Sequence, residues 1–110
     1  MHMKTTEFQM NVYAATRLIP KGKVTTYKYI GDFIGTRAYR AVGNALRRNP
    51  FAPEVPCHRV IASDLTIGGF GGEKTGRKPE EKKALLKQEG VAFEKGRLKD
   101  TSCLFTFGRK

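Results

Sequence analysis

Three breaks in the first half of the chain decide most of what it can become. Ile19-Pro20-Lys21-Gly22, Gly35 and Asn49-Pro50 each stop a helical pattern, so this half reads as three short helices. In the first, residues 6–18, Phe8, Val12, Tyr13, Ala15 and Leu18 recur at helical spacing. After a short extended piece, Lys23-Val24-Thr25, Thr26 can cap a second helix that carries Tyr29, Ile30 and Phe33 and closes at Gly35. Thr36 is placed to cap a third, residues 37–48, which Asn49-Pro50 halts because the residue before a proline disfavours helical backbone.

The third stretch is unusual in composition. Ala38, Val42, Ala45 and Leu46 make a narrow apolar face, and Arg37, Arg40, Asn44, Arg47 and Arg48 occupy the rest. Ala41 and Gly43 keep its bulk low. A glycine inside a helix costs roughly 1 kcal/mol relative to alanine, and a close approach of another molecule to the backbone is a compensating reason. Residues 21–59 hold eight basic and two acidic side chains, more than half of the chain's net charge of +11. Such an excess favours a polyanionic partner, nucleic acid first; the alternative is a basic soluble protein with no such partner.

Beyond the third helix comes Val55-Pro56-Cys57-His58-Arg59-Val60-Ile61, which reads as extended, then a glycine-rich loop, Gly68-Gly69-Phe70-Gly71-Gly72. Residues 73–78 read as a polar surface loop, residues 79–88 as a fourth amphipathic helix ending at Glu89-Gly90, and Val91-Ala92-Phe93 with Leu98 as a short hairpin before a basic tail. Two short helices in tandem, the second basic, predict a helix-turn-helix, and the trailing strands predict a winged variant. The expected fold is therefore mainly α with short β strands, a winged helix-turn-helix-like DNA-binding domain. The 110 residues, 39% of them hydrophobic with seven Phe and four Tyr, suffice for one small core. That excludes a multidomain enzyme and a chain disordered throughout. Residues 1–110 read as one domain, with Met1-His2-Met3 as an appended leader.

Cys57 and Cys103 are too few for a disulfide scaffold, and with His2 and His58 they lack metal-site spacing: there is no CxxC, HxxxH or HExxH. No apolar run approaches the roughly 20 residues that cross a bilayer, and no signal peptide is evident. The expected setting is reducing and intracellular, without membrane contact, with Cys57 a free thiol. His58 and Arg59 beside it would favour thiolate over thiol; the bland alternative is a buried small hydrophobe. Neighbours on an extended strand point to opposite faces, so His58 would reach the Cys57 sulfur through a water, with a carboxylate orienting the imidazole. The glycine loop matches neither a P-loop nor GxGxxG, which argues against a nucleotide cofactor. It reads either as a flexible turn or as a pocket wall, with Phe70 as a stacking face.

These residues converge on a family. Val55-Pro56-Cys57-His58-Arg59-Val60 resembles the Pro-Cys-His-Arg-Val motif of the O6-alkylguanine-DNA alkyltransferases. Arg37-Ala38-Tyr39-Arg40-Ala41-Val42-Gly43-Asn44-Ala45-Leu46-Arg47-Arg48-Asn49-Pro50 is similar to that family's recognition helix and asparagine hinge. Gly22-Lys23-Val24-Thr25-Thr26-Tyr27 resembles its Gly-x-Val-x-x-Tyr segment, and Leu85-Leu86-Lys87-Gln88-Glu89-Gly90 its closing Leu-Leu-x-x-Glu-Gly. Four motifs in order make the resemblance specific across most of the chain.

The resemblance implies direct-reversal DNA repair. Cys57 would take the alkyl group from O6-alkylguanine irreversibly, once per molecule, without cofactor or metal. His58 would be the base through a water, Glu89 would hold His58, and Asn49 would brace the chain between helix and nucleophile. Tyr27, Arg37, Arg40, Ala41, Gly43 and Arg47 would contact double-stranded DNA through the minor groove, with Arg40 filling the hole left by the flipped nucleotide. Tyr27, Val60, Phe70 and Gly71 would form the alkylguanine pocket, the Val60 carbonyl reading the guanine amino group. Gly71 stands where relatives often carry a serine, and the N-terminal domain of many members has no counterpart in these residues. A monomer is expected. Three other readings stay open: an alkyltransferase-like protein that flips and flags alkylated guanine, a winged-helix regulator, and a cysteine peptidase, the last poorly matched to the basic charge.

Overall fold

The computed structural model describes residues 6–51, 54–67 and 77–107, the side chains of 77–79 excepted. The elements run α1 (Glu7–Arg17), β1 (Thr25–Thr26), α2 (Tyr27–Ile34), α3 (Tyr39–Arg47), a 3-10 turn (Cys57–Arg59), β2 (Val60–Ile61), α4 (Arg77–Gln88), β3 (Phe93–Glu94), β4 (Arg97–Leu98) and a second 3-10 turn (Thr101–Cys103). The chain is mainly helical with short strands, and α2 and α3 stand in tandem as the breaks predict. None of the described helices is long and apolar enough to cross a membrane.

Local chemistry explains most boundaries. A capping box opens α1: Thr6 Oγ1 accepts from the Gln9 N–H, and Gln9 Oε1 accepts from the Thr6 N–H. Thr26 caps α2 by accepting from the Tyr29 N–H, and Gly35 closes it at φ 84°, a left-handed conformation that glycine adopts without steric cost.

The third helix starts later than expected, at Tyr39, with Ala38 as its N-cap and no side-chain cap. Thr36 Oγ1 accepts from the Ala38 N–H only two residues on, which closes a local turn and keeps residues 36–38 out of the helix. The fourth helix starts earlier, at Arg77. Residues 77 and 78 of the expected surface loop are therefore helical, since Pro79 falls in the first turn, where a missing N–H breaks no helical bond. Residues 68–76, including the whole glycine-rich loop with Phe70 and Gly71, lie outside the described residues.

β1 and β2 pair in parallel, Thr25 opposite Val60 and Thr26 opposite Ile61. Because successive strand residues point to opposite faces, this small sheet has a core on each side. Val60 joins Val12, Tyr13, Ile30, Val42, Leu46 and Val55 beneath α1–α3. Ile61 joins Val24, Leu86, Val91 and Leu98 beneath α4 and the β3–β4 hairpin. The expected basic tail docks as far as it is described. The Phe105 N–H donates to the Val24 carbonyl at 2.7 Å, Thr25 Oγ1 donates to the Phe105 carbonyl at 2.7 Å, and Phe107 stacks on Phe33 with ring centroids 4.6 Å apart.

Candidate active site and nucleic-acid interface

Cys57 does not lie on an extended strand. Cys57–Arg59 is a 3-10 turn entered from Pro56, closed by Arg59 N–H to the Pro56 carbonyl and Val60 N–H to the Cys57 carbonyl. Pro56, with its fixed φ, suits the entry, and the turn hands the chain to β2. In this turn His58 points inward and is 6% exposed, while Cys57 is half-buried.

Glu89, just past the end of α4, organises what surrounds the turn. His58 Nε2 lies 3.0 Å from Glu89 Oε2; Arg59 Nε donates to Oε1 at 2.9 Å and Arg59 Nη2 to Oε2 at 2.8 Å. Arg59 Nη1 also donates to the Ile19 carbonyl at 2.8 Å, which ties the site to the end of α1. Burial alone would raise the Glu89 carboxyl, but the hydrogen bonds and charges of Arg59 and His58 outweigh it and bring the pKa down to about 2. A carboxylate can only accept, so the hydrogen shared by His58 and Glu89 sits on His58 Nε2, and Nδ1 is the ring atom left for another partner. No described residue hydrogen-bonds Nδ1. The Arg59 guanidinium, expected to act on Cys57, is instead forked onto Glu89.

Asn49 does what a hinge requires. Its Nδ2 donates to the Val55 carbonyl and its Oδ1 accepts from the Phe51 N–H, both at 2.8 Å, bracing the passage from α3 to the Cys57–Arg59 turn. Burial first, and the nearby Cys57 charge second, push both Tyr13 and Tyr27 hydroxyls above their ordinary pKa, so the two rings share the electrostatic surroundings of the thiol. Tyr13 is buried and donates to the Ala45 carbonyl at 2.7 Å, fastening α1 to α3.

On α3, Val42, Ala45 and Leu46 are buried, which turns Arg40, Gly43, Asn44 and Arg47 outward as one stripe. Arg40, Asn44 and Arg47 are exposed, as is Arg37 in the turn before the helix; Ala41 sits half-buried at the rim. No described residue hydrogen-bonds or pairs with the Arg40 guanidinium. A methyl group on Gly43 would meet only the Tyr27 ring, at an ordinary 3.9 Å. Nothing among the described residues demands a glycine there.

Residues 7–91 match the family described as 6-O-methylguanine DNA methyltransferase, DNA binding domain. The chain belongs to this family. A methylated-DNA--protein-cysteine methyltransferase of Saccharolobus solfataricus is 47% identical over 91 residues, 83% of this chain and 56% of that protein. The chain thus spans about half the length of the curated relatives it matches. Among solved structures, Mycobacterium tuberculosis OGT in complex with DNA superposes with a TM-score of 0.70 at 42% identity, covering 80% of this chain and 52% of that one. Schizosaccharomyces pombe Atl1, in complex with damaged DNA containing O6-carboxymethylguanine, gives a TM-score of 0.78 at 32% identity, covering 94% of this chain and 98% of that one.

Within this family domain the structure adds a residue that pattern reading passed over. Lys82 is 1% exposed on α4, one turn from buried Leu86 and two from Glu89, on the face turned to the Cys57–Arg59 turn. Burial depresses its ammonium to about 8, and the Cys57 charge opposes that fall. Below pH 8 folding carries the full cost of burying this charge. Between pH 8 and about 10.5 the unfolded chain binds more protons, so stability rises with pH. Lys82→Met is expected to remove that rise and to slow alkyl transfer several-fold by deleting the cation beside the sulfur. Thermal melts at pH 7 through 10 alongside transfer rates check both; a parent-like rate would separate Lys82 from the chemistry. Asn44, central on the outward stripe of α3, was likewise not singled out from sequence, because short polar residues on a helix surface carry no signal of their own.

Proposed function

We propose that this domain repairs O6-alkylguanine in duplex DNA by taking the alkyl group onto Cys57. The observation that carries the reading is the Cys57–His58–Glu89 arrangement: a half-buried thiol one residue from a buried imidazole whose hydrogen is held on Nε2 by an ionised carboxylate. A water between Nδ1 and the sulfur takes the thiol proton. The thiolate attacks the alkyl carbon, the carbon–O6 bond breaks with its electron pair on the oxygen, and the guanine gains a proton. The product thioether is not hydrolysed in water, so each molecule acts once.

DNA enters on the outward stripe of α3. Ala41 and Gly43 leave room for a minor groove about 6 Å wide, Arg37 and Arg47 meet phosphates, and Arg40 fills the space of the extruded nucleotide. Tyr27, beside both Gly43 and Cys57, contacts the flipped base, and the Val60 carbonyl reads its amino group. Phe70 and Gly71 complete the pocket in this reading.

Glu89→Gln is expected to slow transfer by roughly ten- to a hundredfold, because the imidazole loses the partner that fixes its tautomer. It also costs about 1–3 kcal/mol of stability, since Arg59 loses half its fork. Parent stability falls as pH drops from the ordinary carboxylate range near 4.5 towards 2, and the variant lacks this loss. Single-turnover rates below the melting range, with melts against pH, measure both.

The structural likeness to Atl1 favours one second reading, a protein that flips alkylated guanine without removing the group. Intact mass after incubation with O6-methylguanine duplex DNA separates the two. Transfer adds about 14 Da to the peptide containing Cys57; tight binding at unchanged mass supports the second reading.

A further inference from the structure

The start of α3 is held in an uncommon way. Helix starts are usually fixed by a side chain that accepts a backbone N–H, but Ala38 at the N-cap has none to offer. The ring of Tyr39, the first residue of the helix, instead packs against Gly31 of α2. A Cβ on Gly31 would sit 2.6 and 2.7 Å from two carbons of that ring, closer than real contacts allow, so any side chain there would displace the tyrosine. The Tyr39 hydroxyl donates to Asp32 Oδ1 at 2.6 Å, and Asp32 Oδ2 accepts from Lys28 at 3.2 Å. The Thr36 N–H donates to the Gly31 carbonyl at 2.8 Å, wrapping the connecting turn around the same glycine. Tyr39 is thus seated by ring, hydroxyl and adjoining backbone, and the next residue along is Arg40.

We propose that Tyr39 is a positioning residue for base flipping: seated on Gly31 and tethered to Asp32, it sets the first turn of α3 so that Arg40 is presented outward at a fixed height. The proposal rests on the reading of Arg40 given above. Arg40 has no described partner of its own, so its direction comes from the backbone that carries it, and that backbone is fixed through its neighbour. Gly31 and Tyr39 form a matched pair: neither can be enlarged or removed without moving the other.

Transfer rates from O6-methylguanine in duplex DNA and from free O6-benzylguanine, which needs no flipping, test this in Tyr39→Ala, Gly31→Ala, Arg40→Ala and the Tyr39→Ala/Arg40→Ala double variant. Tyr39→Ala and Gly31→Ala are expected to slow the duplex reaction roughly tenfold or more while leaving the free-base reaction within about twofold. The double variant is expected to be no slower on duplex than Arg40→Ala alone, because a residue acting through Arg40 has nothing left to act on. Equal losses on duplex and free base, or additive losses in the double variant, overturn the proposal. A slow Arg40→Ala with a parent-like Tyr39→Ala also overturns it while sparing the flipping role of Arg40; a parent-like Arg40→Ala overturns both. If Tyr39→Ala does not fold, Tyr39→Phe and Gly31→Ala carry the test, and parent-like duplex rates in both overturn the proposal.

Discussion

Cys57→Ala abolishes methyl transfer while duplex binding stays within about twofold of the parent. The thiol contributes to the chemical step and makes little phosphate contact, so its loss falls on the transition state and hardly on ground-state binding. The fold tolerates the change: Cys57 is half-buried at the edge of the first core, and the turn that carries it is held by backbone bonds from Arg59 and Val60 that do not involve the side chain. Labelled O6-methylguanine DNA measures the outcome. Residual transfer in the variant, or label on Cys103, would remove Cys57 from the role. Cys103 sits on the second core, in the C-terminal 3-10 turn, whereas Cys57 packs on the first.

Arg40→Ala slows reaction with duplex O6-methylguanine by roughly 30- to 100-fold. Extruding a paired base costs a few kcal/mol, and a cation occupying the vacated stack returns part of that cost; each 1.4 kcal/mol lost is about tenfold in rate. Binding to undamaged duplex weakens only by about one phosphate contact. Reaction with the free alkylated base falls far less, since there is nothing to extrude. Arg48→Ala is the control: exposed like Arg40 but outside the outward stripe, it loses only phosphate attraction, and higher protein concentration restores it. A fluorescent base analogue beside the lesion decides the matter, and unchanged flipping in Arg40→Ala would falsify the role.

What could be read from the sequence follows the reach of each interaction. Thr26 is legible as a cap because a cap involves residues three apart, and Gly35 as a stop because its left-handed backbone is a property of glycine itself; Thr6, read as the first helical residue, proves to be the cap of α1. The motif order placed Cys57, His58, Asn49 and Glu89 together, and the fold does bring His58 to Glu89 and Asn49 to Val55. Three features were not legible. Arg59 looked like a cation for the thiol, yet two acceptors far along the chain, Glu89 and the Ile19 carbonyl, claim its guanidinium. Lys82, among Glu80, Glu81 and Lys83, reads as part of a solvated helix face until packing against the nucleophile turn closes over it. The seating of the first residue of α3 on Gly31 is a contact between helices that no local pattern announces, beside the local Thr36 turn that delays the helix.

The way β1 is completed sets an order of events during synthesis. Helices α1, α2 and α3 contact one another, so contacts among them can form once residue 47 has emerged, before Val55 and Val60 complete the core beneath them. The strand that carries the chain away from Cys57 can pair with β1 only afterwards, and Thr25 then waits for a partner 80 residues downstream, the Phe105 carbonyl. Until residues 103–105 emerge, the nascent chain bears a folded helical unit with an uncovered strand edge beside Val24, the kind of edge that invites pairing with another chain. The helical half of the domain is thus built before the half that carries Cys57, His58 and Glu89. Ribosome-bound chains stalled before residue 103 would acquire helix protection in α1–α3 while their strand amides remained open to exchange.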